Sequence, residues 1–321
     1  MNIELSEEAV EFGHLALRAL KEAGGDHLVA AAELEPGRRE RLVTPILSEL
    51  GAWQLNPRGD QAELEAAAAL CRSVGYWAVP YPIAERLARP EDLDVDGLLV
   101  VADSRPAAAV AELDLRWAAV NLSGQRSIAV GHSPVSPPRV SRFVTGLDLE
   151  QVDHEGANDA ALGLVLPCWT LLGMLDRAIE LTTAYALVRK QFGQPIAAFQ
   201  SVQFQLTDAE VEHSGLEMLA KYALWSAHEG RAEALDDALA LRLAAVEAAE
   251  IVFRVAHQLH GAIGFCDELP LSWLSRYSEP LRRLPLGRSA TLYELTCRLG
   301  RRGLRGPFME ELGASSVAAL P

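Results

Sequence analysis

A chain of 321 residues, half of them hydrophobic and 23% charged, has the composition of a folded protein with a large core and room for two or three subdomains. A formal charge of −15 and a pI near 5.0 exclude a general affinity for nucleic acid or an anionic membrane. No run approaches the roughly 18 uninterrupted apolar residues of a membrane span, and Glu4, Glu7 and Glu8 stand where a secretory leader would be basic and then apolar.

The cysteines (Cys71, Cys168, Cys266 and Cys297) lie far apart, without CxxC spacing or neighbouring histidine pairs. The expectation is a reducing cytoplasm, with no disulfide framework and no metal site.

Residues 1–92 read as helices. Phe12, Leu15, Ala16 and Leu20 form one helical stripe, Leu42, Ile46 and Leu50 a second, and Leu64, Ala68 and Cys71 a third. Gly51, Asn56-Pro57-Arg58-Gly59 and Gly75 punctuate them, and a short helical piece is predicted around Ala84–Leu87. Over 93–152 the texture changes to short β-like runs at Leu98–Val101, Trp117–Leu122, Ile128–Val130 and Phe143–Thr145. From 153 to 321 long helices return. One is predicted over Asp159–Val188, a second carries Val202, Leu206, Ala209, His213, Leu216 and Ala220, and a third Leu241, Ala245, Ala248, Val252 and Val255. The fold class is therefore mainly α with a small β insert: an N-terminal helical domain, a reduced middle β domain and a C-terminal helical bundle.

Two segments could carry chemistry. One is Arg189-Lys190-Gln191-Phe192-Gly193-Gln194-Pro195-Ile196, followed by Phe199, Gln200 and Gln203. The other is Gln258-Leu259-His260-Gly261-Ala262-Ile263-Gly264-Phe265. Each is a helix end running into a glycine turn, where free backbone groups and a basic or amide side chain can meet a phosphate. Either one alone reads equally as a helix cap with packing aromatics.

Together they resemble the acyl-CoA dehydrogenase family, which carries an R-x-x-F-G-x-P-I…F-Q-x-x-Q segment and a Q-x-x-G-G-x-G-F segment on its C-terminal domain. Ala262 departs from the second pattern, where the family has glycine. The resemblance implies a C-terminal four-helix bundle that builds dimers and tetramers, with FAD lying across a subunit interface. It assigns Arg189, Gln191, Phe192, Phe199, Gln200, Gln258, Gly261 and Ala262 to the pyrophosphate and adenosine end of FAD, held mainly by the neighbouring subunit. A guanidinium suits that role through its planar paired donors.

The family's catalytic glutamate has no counterpart in the sequence. In the Y-E-G-T-S-like turn its place falls on Leu286 when Gly287 is matched, or on Pro285 by gapless count from Gly264; the second family location falls on Gly163, with Asp159 one turn earlier. None of the first three can take a proton. Glu294, in a Tyr293-Glu294 pair, falls two turns late and reads as a helix-surface carboxylate. The flavin-ring loop and strand of the family are also missing from 93–152.

The resemblance therefore implies a chain without a catalytic residue of its own: the short subunit of a heteromeric (α2β2) acyl-CoA dehydrogenase of the kind that oxidises steroid side-chain thioesters. A catalytic paralogue would supply the base and most acyl-CoA contacts, and an electron-transferring flavoprotein would accept the electrons. A scaffold of the same fold, a nucleic-acid-associated relative, and a self-sufficient homo-oligomeric dehydrogenase with an unconventional base are the other readings. His213 is expected as a satisfied core histidine, His260 as a packing or capping one and His257 as solvent-facing. Trp273 and Arg276 are expected to be structural. The basic run Arg282, Arg283, Arg288, Arg298, Arg301, Arg302 and Arg305 reads either as a solvated helix face or as a phosphate or acidic-partner contact.

Overall fold

The structure, a computed structural model, describes residues 3–133 and 141–303, apart from the side chain of Arg302. Arg305 lies outside these residues. Five helices come first: α1 (Glu7–Glu22), α2 (His27–Leu34), α3 (Arg39–Glu49), α4 (Gln61–Tyr76) and α5 (Ile83–Leu87). The strands β1 (Gly97–Val100), β2 (Ala107–Ala108), β3 (Trp117–Val120), β4 (Arg126–Ser133) and β5 (Thr145–Asp153) follow. The bundle comprises α6 (Ala157–Val188), a hairpin of β6 (Lys190–Gln191) and β7 (Gln194–Pro195), then α7 (Gln200–His228), α8 (Ala234–His260), α9 (Pro270–Arg283) and α10 (Arg288–Arg302).

Local chemistry sets several of these ends. The Ser6 hydroxyl accepts from the Ala9 amide at 3.4 Å and Asp60 accepts from the Glu63 amide at 2.9 Å, satisfying free N–H groups at the starts of α1 and α4. The strands form one sheet in the order β1-β3-β4-β5-β2, parallel between β1 and β3 and antiparallel elsewhere. The run expected at Phe143–Thr145 is only the threshold of β5, which continues to Asp153 opposite β4. Asp148, Glu150 and Asp153 lie on that strand among few apolar residues, so its alternation is faint in the sequence. The two alanines of β2 likewise give no strand signal.

Helix α6 is the axis of the molecule. Its most apolar window has a mean hydropathy of 1.4, enough by length and composition to cross a membrane, yet 72% of that window is buried against the rest of this chain. Its crossing with α4 is a backbone-to-backbone contact. A Cβ on Gly173 would stand 1.8 Å from the Arg72 carbonyl oxygen, and one on Gly75 1.9 Å from that of Thr170.

Two ion clusters tie the parts together. Arg126 on β4 meets both oxygens of Asp153 at 2.7 Å, Asp92 at 2.7 Å and Asp159 at 3.4 Å, while Arg58 reaches Asp159 at 2.7 Å. The sheet, the 56–59 turn and the start of α6 are joined there.

In the second cluster, Asp176 of α6 accepts from Arg72 of α4 and is paired with His213 of α7, both at 2.7 Å. Burial opposes charge on His213, but the Asp176 bond and the nearby carboxylates outweigh it, and the imidazole pKa is raised. A group with a raised folded pKa stabilises fully below its unfolded value, about 6.5, and loses that contribution as pH rises through the folded value. Melting temperature should therefore fall from pH 6 towards pH 9, and His213→Gln should flatten that slope. Parallel curves for the two proteins would refute the linkage.

Burial pushes the thiols of Cys71 and Cys168 up, the latter to about 12. Cys266 is exposed and Cys297 half-buried.

Candidate functional site

The two sequence segments meet at one end of the bundle. Tyr185 and Ala186 near the end of α6, Ile196 and Phe199 after the hairpin, and Leu259 at the end of α8 share a small apolar cluster. The Ile196 amide donates to the Arg189 carbonyl at 2.8 Å and closes the hairpin root, and His260 stacks on Tyr185 at 4.4 Å. At the tip, Phe192 and Gly193 have φ of +51° and +83°, the pair of left-handed residues that a two-residue hairpin turn with right-handed strand twist requires.

The left-handed region suits glycine and costs a residue with a β-carbon about 1–2 kcal/mol. Phe192 nevertheless occupies it and is 93% exposed. Arg189, Gln191, Gln200 and Gln258 are exposed, and the side chains of Arg189, Gln191 and Gln258 make no hydrogen bond or ion pair among the described residues. Gly261 ends α8 at φ +67° with nothing within 4 Å of a built Cβ, and Ala262 beside it is exposed. A free guanidinium, two free amides and open backbone on one edge suit a phosphate-bearing ligand.

His257 is not simply solvent-facing: it is half-buried and stacks on Phe265 at 4.2 Å and 11°. Its Nδ1 lies 3.4 Å from where a Cβ on Gly264 would stand, a packing against the turn 261–265 that helical phase alone did not indicate. His260 is buried and bonded to the Ala256 carbonyl at 2.9 Å. Arg276 lies 4.1 Å over Trp273 and is paired with Asp267 at 2.6 Å.

The positions matched to the family's base converge elsewhere. Gly163 of α6 and Pro285 after α9, with Leu284 beside them, line one cleft of about 60 Å³ between the sheet and the bundle, whereas Leu286, the other match, is not among its lining residues. Arg242, buried in α8, donates to the carbonyls of Leu281 (3.0 Å) and Leu286 (2.6 Å) and so fixes this turn. No carboxylate stands at those positions. Asp159 is held by Arg58 and Arg126, and Glu294 faces Arg298 one turn on at 4.0 Å.

The cleft does hold a carboxylate that sequence reasoning passed over, Glu85 of α5. It lines this space and an adjoining cleft of about 70 Å³. Burial raises its pKa to about 7. A single glutamate in a five-residue helix carries no motif, and nothing in the sequence marks it.

Comparison with known proteins matches residues 165–290 to the acyl-CoA dehydrogenase C-terminal domain family. Over the whole chain, the ChsE4-ChsE5 complex from Mycobacterium tuberculosis is similar in fold, with a TM-score of 0.75 at 17% identity over 95% of this chain and 100% of that one. The chain carries an acyl-CoA dehydrogenase C-terminal domain on an acyl-CoA dehydrogenase fold. A variant of the Tcur3481-Tcur3483 steroid ACAD gives a TM-score of 0.77 at 21% identity over 92% of this chain and 98% of that one. In sequence, the 3-sulfinopropanoyl-CoA desulfinase of Paraburkholderia xenovorans is 36% identical over 107 residues, which are 33% of this chain and 26% of that protein. The chain thus matches about a quarter of the length of that curated relative.

On the acyl-CoA dehydrogenase domain, the basic run is largely satisfied locally. Arg282 and Arg283 pair with Glu279, Arg288 with Glu247 at 2.7 Å, and Arg298 with Asp236. That favours the helix-face reading over a phosphate contact.

Proposed function

We propose that this chain is the non-catalytic subunit of a heteromeric, FAD-dependent acyl-CoA dehydrogenase and closes half of a flavin site built mainly by a catalytic paralogue. The observation that carries this reading is Phe192: bulky, left-handed in backbone and almost fully exposed, it is placed for contact with something outside the chain. Arg189, Gln191, Phe199, Gln200, Gln258, Gly261 and Ala262 lie on the two segments that meet at this end of the bundle, with Phe199 6.2 Å from Phe192, and the free donors among them fit the pyrophosphate and adenosine end. When bound, FAD supplies the hydride-accepting chemistry. This chain's residues hold its outer part and exclude water. The partner would bring the base and the acyl-CoA contacts in an α2β2 assembly, with an electron-transferring flavoprotein as acceptor. The fold's likeness to two heteromeric assemblies supports the pairing.

The test is to express the chain alone and with an adjacent, longer family member, and to measure flavin absorbance per chain and bleaching by acyl-CoA. The expected result is no flavin alone, and about one FAD per pair when co-expressed. In that complex Arg189→Ala should weaken FAD retention by about 1.5–3 kcal/mol, the worth of a charge-assisted hydrogen bond. Flavin and substrate bleaching in the lone chain would sink this reading. Glu85 in the cleft favours a second one, a self-sufficient dehydrogenase with an unconventional base, and loss of that bleaching in Glu85→Gln would then support it.

A further inference from the structure

Away from the exposed edge and from the cleft below the sheet, one cavity collects charges that the protein leaves unpaired. It has a volume of about 140 Å³ and lies where the 52–57 turn, the end of α5 and the 91–96 linker meet. Arg86, Arg89, Glu91 and Asp96 line it, together with Trp53 and Gln54. By the criterion that one water-sized group needs about 10–15 Å³, it has room for roughly ten.

Nearby arginines outside the cavity have carboxylate partners: Arg58 pairs with Asp159 at 2.7 Å and Arg116 with Asp94. Arg86 has none among the described residues. It is half-buried, its Nη1 donates to the Tyr81 hydroxyl at 3.0 Å, and its guanidinium lies 4.0 Å over the Trp53 ring. Its Nε and the Trp53 Nε1 are buried without a hydrogen-bond partner. The exposed side chains of Arg89 and Gln54 make no hydrogen bond or ion pair among the described residues.

The acids are equally unanswered. Glu91 accepts from the Asn56 side-chain amide at 2.5 Å and Asp96 from the Arg116 backbone amide at 2.8 Å, and neither meets a cation among the described residues. Two guanidinium groups and two carboxylates therefore share one cavity, and no ion pair joins them across it.

We propose that this cavity binds a small dipolar ion, its carboxylate towards Arg86 and Arg89 and its ammonium towards Glu91 and Asp96. A simple anion would meet the two acids and a simple cation the two arginines, whereas a ligand carrying both charges answers all four. Each guanidinium offers planar paired donors that match a carboxylate, and an ammonium brings three donors to oxygens that can accept them. Stacking on Trp53 fixes the plane of Arg86 before the ligand arrives, which lowers the ordering cost of binding. The site belongs to this chain alone and requires neither flavin nor partner, so its test reads independently of the co-expression result.

The experiment is a ligand-observed NMR titration at pH 7 on the purified protein, in whatever assembly it isolates. The probes are L-glutamine and 5-aminopentanoate, dipolar ions whose charged ends lie close together and far apart. At least one should bind. Its N-acetyl derivative, which lacks the ammonium, and its amide derivative, which lacks the carboxylate, should each bind about tenfold more weakly or worse, the loss of one charge-assisted contact. Arg89→Met and Glu91→Gln alter exposed side chains and should each weaken binding by a similar factor, with circular dichroism confirming that both variants are folded. A blocked derivative that binds as tightly as its parent would overturn the proposal. So would binding that either variant leaves intact, or no binding of either probe by the folded protein.

Discussion

Gly173→Val is expected to leave almost no soluble, folded protein. A β-carbon there would meet the Arg72 carbonyl oxygen at 1.8 Å, and the obstacle is backbone, which cannot rotate aside as a side chain can. Overpacking a core costs about 1–3 kcal/mol when side chains can adjust. Here α4 and α6 would have to separate along their shared face, so the loss should approach the whole stability of about 5–15 kcal/mol. Gly215→Ala is the companion measurement. Gly215 lies on the exposed face of α7 with nothing within 4 Å of a built Cβ, and alanine there should raise stability by about 0.5–1 kcal/mol. A Gly173→Val protein that melts within a degree or two of the parent would show that the crossing can open without loss.

Arg126→Met should cost about 3 kcal/mol at neutral pH, the low end of what breaking a buried pair costs because water still screens the Asp153 side of the cluster. Among the described residues it leaves Asp92 and Asp153 without an arginine partner and Asp159 with Arg58. The pH dependence gives a second readout. Hydrogen bonds from Arg126 hold the Asp92 carboxyl below its usual range and that of Asp153 at about 2. Depressed folded values contribute stability above the unfolded pKa, near 4, and that contribution disappears as pH falls through the folded values. The difference between the parent and Arg126→Met should therefore be largest near pH 7, shrink as pH falls below about 4 and close only near pH 2, as followed by urea unfolding at each pH. A difference of constant size across that range would mean that Arg126 acts through packing alone.

How far the sequence reached can be judged element by element. The bundle helices were legible because α7 and α8 carry long 3–4 apolar spacing, and the α6 signal was only slightly short at its start. The sheet was legible where strands are apolar, as in Trp117–Val120, and faint where Asp148, Glu150 and Asp153 dilute β5. The exposed edge at Arg189–Gln194 and Gln258–Ala262 was found by motif, which is local in the chain. Glu85 was not found, because its importance comes from the convergence of α5, α6, α9 and the sheet on one space. No window of sequence contains that convergence. The environment of His257 was missed for a similar reason, since Phe265 reaches it only through the turn that follows α8.

The cysteine distribution gives the molecule a convenient asymmetry. Cys71 and Cys168 are shut inside with their thiols held protonated, whereas Cys266 stands exposed directly after the 261–265 turn, at the edge that carries Gln258 and Gly261. A thiol-reactive fluorophore would therefore favour that edge over the core, with half-buried Cys297 as the slower second site. The unmutated chain thus carries its own handle for watching a second subunit arrive there, with dye environment and label accessibility reporting the approach.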